Sequence, residues 1–306
     1  MGIKVTIIKN LKQLFIFNKG NLTRTVMKRY CITSLISAVV FLIYSSACAF
    51  NAEVTPSEIK PGDAFVIKIN DAETPHLPAA SLKGRKFYFS RCGENCSIAI
   101  GTIGIRTKPG VYTIKLKVGG KTKNLHLTVK QYSFPTIKLT LPDNQVFLNK
   151  KDLKRVEREN KRLKQIFQKI SQSYWKGNFT FPLENDISTP FGIKRVLNKK
   201  WVSIHRGIDI TGQDGEEVKA SNNGRVVLAE ELFFGGNTVI LDHGLGIYTI
   251  YMHLSKFNVN IGDMVSKNDV IGFVGSSGRS TGPHLHFGVK VMNMSTNPVS
   301  LIELNL

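Results

Sequence analysis

Aspartate and glutamate are absent from the first 49 residues, which carry Lys4, Lys9, Lys12, Lys19, Arg24, Lys28 and Arg29 without a compensating acid. A cationic start of that kind, followed by the apolar stretch Cys31 to Phe50, reads as an export leader. The stretch is interrupted by Thr33, Ser34 and Ser37 and ends in the small-residue run Ser45-Ser-Ala-Cys-Ala49. Residues 1–49 are therefore expected to be a signal peptide cut after Ala49. The alternatives are a retained membrane anchor, because the stretch approaches the ~20 residues a span needs, and lipidation of Cys48. Met27-Lys-Arg-Tyr30 has the form of an ordinary signal start, which points to Met27 as the true initiator. Cysteine is scarce as well. Of four in the chain, Cys31 and Cys48 fall in the leader, leaving only Cys92 and Cys96. Two cysteines exclude a cysteine-rich metal site; in an oxidising compartment the run Arg91-Cys-Gly-Glu-Asn-Cys96 reads as a small-loop disulfide. Acids are outnumbered throughout, 22 against 42 lysines and arginines, for a net charge of +20. Removing the leader leaves about +13, which favours anionic polymers or surfaces as partners. Export and the lack of any nucleic-acid motif argue against nucleic acid.

The helical zinc motif His-Glu-x-x-His is also missing, and Gly207 and Gly212 argue against a helix through His205-Arg-Gly-Ile-Asp209. What is present is that segment together with His284-Leu-His286. Residues i and i+2 of a strand share a face, so an extended Pro283 to Val291 aims both imidazoles into one site. A catalytic zinc site takes three ligands from histidine, aspartate or glutamate and keeps a position open. His205, Asp209 and one of the histidine pair meet that count. With no glutamate base, a histidine must move protons, and His253 in Tyr251-Met-His-Leu-Ser255 follows a β-branched run as a further candidate.

The pattern His-x-x-x-Asp, His-Leu-Ser, His-x-His resembles the lysostaphin-type (LytM-like) zinc metalloendopeptidases of bacterial cell walls. The resemblance covers roughly 187–301 and includes the turns Gly235-Gly236-Asn237, Asp242-His243-Gly244 and Gly278-Arg-Ser-Thr-Gly-Pro283. It implies one zinc ion on His205, Asp209 and His286, with His253 and His284 acting on water and the transition state. It further implies peptidoglycan as substrate, with glycine bridges cut by some members and D-alanyl-diaminopimelate links by others. The departures from the family pattern are mild: Phe287 occupies an aromatic position after His-x-His, and Ile193-Lys-Arg195 follows Phe191-Gly192 in a segment bordering the expected groove. The remaining histidines, His76, His126 and His243, are read as solvated or turn residues, His243 as part of a hairpin turn.

The 306 residues allow two modest domains. Short β-prone runs at Phe65 to Ile69, Lys86 to Phe89, Ile98 to Ile105, Val111 to Val118 and Asn124 to Val129 alternate with turns, as in a small antiparallel sandwich. That stretch resembles the β-domain preceding the peptidase in Gram-negative members, which favours the D-alanyl-diaminopimelate bond (a DD-endopeptidase). Leu153, Val156, Leu163, Phe167 and Ile170 fall at helical spacing and define an amphipathic connecting helix. Fifteen of the 26 glycines lie after residue 190, between β-prone runs. The expected fold is mainly β: leader 1–49, N-terminal sandwich 50–132, linker with helix 133–178, and an all-β peptidase domain 179–306. A biotinyl or lipoyl carrier shares the pattern of 262–275, but Met292-Asn-Met294 has asparagine where a carrier places its lysine. The functional alternative is a non-catalytic peptidoglycan-binding protein or activator of another wall hydrolase. The expected location is the periplasm or cell envelope, with peptidoglycan and a regulatory envelope protein as partners.

Overall fold

The computed structural model describes residues 50–71, 76–139, 148–198 and 201–306. The leader expected at residues 1–49, with Met27, Cys31 and Cys48, lies outside the described residues. Strands β1 (Asn51–Thr55), β2 (Glu58–Ile59), β3 (Ala64–Asn70), β4 (Ala79–Leu82), β5 (Arg85–Phe87), β6 (Ser90–Gly93), β7 (Cys96–Thr102), β8 (Gly110–Val118) and β9 (Lys121–Val129) build a sandwich. Its sheets have the orders β1-β3-β7-β6 and β2-β9-β8-β4-β5. Alternation along β8 buries Ile114, Leu116 and Val118 and exposes the residues between them. Cys92 and Cys96 are disulfide-bonded across the β6–β7 hairpin. The sandwich is not wholly antiparallel, since β2 pairs with β9 in parallel. The chain crosses to the second sheet for those two residues and returns to the first at β3.

Strand β3 is buried on both faces. Phe65, Ile67 and Ile69 point into the sandwich. Ala64 and Val66, with Ile98 and Ile100 of β7, join the same apolar cluster as Phe191, Ile208 and Phe287 of the C-terminal part of the chain. Hydrogen bonds seal this contact: Asn297 N–H donates to the Gly62 carbonyl at 2.8 Å, and Ala64 N–H donates to Ser300 Oγ at 2.8 Å.

After β10 (Thr136–Leu139), helix α1 (Lys150–Phe167) starts at Asn149, whose side chain accepts from Asp152 N–H at 2.9 Å. Val156 and Phe167 are buried, and Leu163 and Ile166 pack beside them on Leu228, Ile240 and Tyr248. The apolar stripe is shorter than expected at both ends. Leu153, in the first turn, stays 46% exposed, and Ile170 lies beyond the helix end at 41%. Ile166 takes its place on the stripe.

The C-terminal part contains β11 (Ile187–Thr189), β12 (Lys194–Leu197), β13 (Trp201–Ile204), β14 (Gly207–Thr211), β15 (Glu217–Lys219), β16 (Gly224–Leu232), β17 (Gly236–Gly244) and β18 (Ile247–Phe257). It ends with β19 (Met264–Val265), β20 (Val270–Val274), β21 (His284–Val291), β22 (Met294–Thr296) and a short helix α2 (Pro298–Ile302). Its main sheet runs β11-β14-β21-β18-β17-β16-β19, and β10, β12 and β13 form a separate three-stranded sheet.

His243 departs from its expected turn position. It lies within β17, fully buried, because the two-residue turn falls later, at Leu245 and Gly246, both with positive φ (54° and 78°). Its Nδ1–H donates to the Asn223 carbonyl at 2.7 Å, and Nε2 lies 2.7 Å from Thr249 Oγ1. Thr249 Oγ1 is 2.9 Å from Tyr251 Oη, which accepts Ser221 N–H at 2.9 Å. Burial pushes the imidazole down to about 4. The unfolded chain takes up this proton near the ordinary histidine value while the folded chain resists it. Stability is thus complete above about pH 6.5 and is lost as pH falls towards 4, by about 3 kcal/mol from this group. Denaturant melts at pH 7 and pH 4.5 should show that loss in the parent, and a smaller pH dependence in His243→Gln.

Candidate metal centre

The site is assembled by antiparallel pairing of β14 with β21. In that register Asp209 faces His286 and Thr211 faces His284. Alternation puts Ile208, Ile210, Leu285 and Phe287 on the other face, each fully buried. The polar residues are thereby aimed at one side and the apolar ones into the core. His205 precedes β14 and is gripped through its backbone: its N–H donates to the Ile193 carbonyl and its carbonyl accepts from Gly192 N–H, both at 2.9 Å.

Three donor atoms converge. His205 Nε2 is 2.9 Å from Asp209 Oδ1 and 3.1 Å from His286 Nδ1, and His286 Nδ1 is 2.7 Å from Asp209 Oδ1. Ligand atoms of a tetrahedral zinc site stand roughly 3.3–3.6 Å apart, so a slight opening of this triangle accommodates an ion. The tautomer also fits. His205 Nδ1–H donates to the Pro190 carbonyl at 2.9 Å, which turns an unprotonated Nε2 inward. Among the described residues, His205, Asp209 and His286 form the group that could hold a metal ion. Burial opposes ionisation of Asp209, yet its hydrogen bonds with His205 and His286 hold it far below the ordinary carboxylate range. Burial lowers His286.

Two more imidazoles border this triangle. His253 sits at a bulge in β18 with φ of 66°, a left-handed conformation uncommon outside glycine. The bulge turns its side chain towards the site, where its ring centroid is 4.8 Å from that of His284 and 6.2 Å from that of His286. His253 Nδ1–H donates to the Ser277 carbonyl at 2.8 Å, and burial pushes the group down to about 4. His284 Nδ1–H donates to the Gly282 carbonyl at 2.9 Å, and its Nε2 is 3.9 Å from Asp209 Oδ1. With Nδ1–H so engaged, each ring carries its lone pair at Nε2. The five residues singled out in the sequence are thus brought together, whereas His76 and His126 lie on exposed segments and His243 is committed to its buried network.

The main-chain carbonyls of Pro190, Ser277 and Gly282 carry no side-chain signature, and sequence reasoning missed them. The Ser277 carbonyl is placed by contact between glycines: a Cβ on Gly236 would lie 2.3 Å from the Ser277 carbonyl carbon, and one on Gly278 would lie 2.2 Å from Gly236 N. Arg195, expected at the border of the groove, reaches further in: its Nη2 lies 3.5 Å from Asp209 Oδ2.

Residues 203–298 match the model of Peptidase family M23. That segment, about a third of the chain, is what carries the likeness to the family. DD-carboxypeptidase/endopeptidase Mpg of Neisseria meningitidis is 41% identical over 116 residues, 38% of this chain and 26% of the relative. Peptidoglycan DD-endopeptidase ShyA of Vibrio cholerae is 34% identical over 145 residues, 46% of this chain and 33% of the relative. The chain spans about a quarter to a third of the length of these curated relatives. A solved peptidase M23 chain from Pseudomonas aeruginosa is 28% identical, with a TM-score of 0.61, covering 79% of this chain and 93% of its own.

Gly207 leaves no room for a side chain: a Cβ there would lie 2.4 Å from the Phe287 carbonyl oxygen and 2.7 Å from His286 Nε2. Gly207→Ala should displace His286 and weaken divalent-metal affinity at least ~10-fold while circular dichroism remains that of the parent. Chelator-competition titration of the two proteins measures this.

Proposed function

We propose that the protein is a zinc-dependent endopeptidase that hydrolyses peptide cross-links of peptidoglycan, with the D-alanyl-diaminopimelate bond as its target. The observation that carries this reading is the convergence of two imidazoles and one carboxylate on one point, with two further imidazoles beside them. The ligand set suits zinc: nitrogen and oxygen donors, three in number, with room for a fourth partner. The activities named for the Mpg and ShyA relatives support the bond assignment.

His205, Asp209 and His286 would hold the zinc, which supplies Lewis acidity to water and to the scissile carbonyl. His253 and His284 divide the proton transfers. One Nε2 takes a proton from the attacking water, and that same proton, passed on to the other Nε2, steadies the developing oxyanion or protonates the leaving amine. Their Nδ1–H bonds to Ser277 and Gly282 keep both rings in the required tautomer and orientation. Action in the periplasm or envelope is part of this proposal, supported by the leader expected at residues 1–49, the basic chain and the disulfide. Mass spectrometry of the exported protein should find Phe50 as its first residue.

The direct test is digestion of purified diaminopimelate-type peptidoglycan with product analysis by mass spectrometry. The expected result is loss of cross-linked dimers, abolished by chelation and by His286→Ala. His253→Ala and His284→Ala should retain zinc and lower kcat by ~10²- to 10⁴-fold. Dimers that persist with the zinc-loaded protein would refute the assignment.

A further inference from the structure

The two oxygens of the Asp209 carboxylate have different neighbours. Oδ1 faces the histidine nitrogens of His205 and His286 at 2.9 and 2.7 Å. Oδ2 faces the guanidinium of Arg195, whose Nη2 is 3.5 Å away. A free carboxylate rotates readily about its terminal torsion and can bind a metal through one oxygen or both. A cation at Oδ2 leaves Oδ1 as the donor and keeps a coordination position for water or substrate.

Arg195 reaches this place on β12, and β12 is held from outside the catalytic domain. The linker strand β10 pairs with it in parallel, Ile137 opposite Arg195, and Lys194 N–H donates to the Pro135 carbonyl at 2.9 Å. Just before β10, Phe134 covers Gly192 so closely that a Cβ there would lie 2.0 Å from its ring. Phe134 also meets Phe191 edge-on, with ring centroids 6.3 Å apart. On its other side Phe134 meets Tyr132 at 4.9 Å, and Lys60 of the sandwich lies over the Tyr132 ring at 4.8 Å. The clamped turn matters twice, because Pro190, Gly192 and Ile193 also supply the backbone partners of His205.

We propose that Arg195 is a positioning residue that makes Asp209 a one-oxygen metal ligand, and that the linker segment from Phe134 through β10 holds it in place. This rests on the zinc site proposed above. On this account the linker is a wall of the site, and the sandwich reaches the metal centre through it.

The test uses the full chain and its Arg195→Met, Arg195→Lys and Phe134→Ala variants. Zinc affinity is measured by chelator competition without substrate, then kcat and KM are measured at saturating zinc. Arg195→Met should weaken zinc binding 10- to 100-fold and lower kcat with KM little changed. Arg195→Lys should recover part of the affinity, since it keeps the charge without the planar fork. Phe134→Ala should shift affinity in the same direction, and the double variant should be no weaker than Arg195→Met alone, as expected of coupled residues. Unchanged zinc affinity with a raised KM would overturn the proposal and make Arg195 a substrate-binding group. Additive losses in the double variant would overturn the role of the linker. Failure of the unaltered chain to bind zinc shows in the same titration and refutes the underlying site, separately from the role of Arg195.

Discussion

The register between β14 and β21 is the constraint on which the rest depends. Side chains alternate along both strands, so a slip of one residue in either would send its polar residues into the core and its apolar ones into the site. The buried pairs Ile208 opposite Phe287 and Ile210 opposite Leu285 hold the register. Asp209 opposite His286 is its chemical consequence. Packing and ligation are in this sense one interaction seen from two faces of a strand pair. Tyr251 extends it, resting on Phe287 at 5.3 Å between ring centroids and joining the buried network of His243 and Thr249.

Around that pair the structure uses backbone to aim side chains. Three carbonyls from two loops, Pro190 after β11 and Ser277 and Gly282 between β20 and β21, fix the tautomers of His205, His253 and His284. Glycines allow those loops to approach closely, and the bulge at His253 departs from strand geometry where a side chain must be re-aimed. Backbone polar groups that would otherwise need partners become the orienting shell of the site. The N-terminal sandwich takes part as well. Strands β3 and β7 of its first sheet are buried on both faces, and the Gly62 turn packs on Phe191, next to the turn that grips His205.

The clustering of His205, Asp209 and His286 was legible in the sequence because those residues obey simple periods. His284 and His286 are two apart on a strand, and Asp209 falls within an alternating run. The mainly β architecture was legible for the same reason, as were the Cys92–Cys96 pairing and the existence of the helix. Features that depend on tertiary context were not. His243 sits in an Asp-His-Gly run that has turn composition, but two later residues take the turn and burial claims the histidine. The short parallel pairing of β2, the ends of the helical stripe and the carbonyl partners are set by neighbours distant in sequence. Arg195 was visible as a bordering cation, but its alignment with one oxygen of Asp209 requires the linker strand that pairs beside it.

The central claim is that His205, Asp209 and His286 together hold a zinc ion. Anomalous diffraction from crystals of the purified protein, recorded on both sides of the zinc absorption edge, tests it most directly. The account predicts one peak per chain, within ~2.0–2.2 Å of His205 Nε2, Asp209 Oδ1 and His286 Nδ1. A peak elsewhere, or none in crystals of zinc-saturated protein, would contradict it.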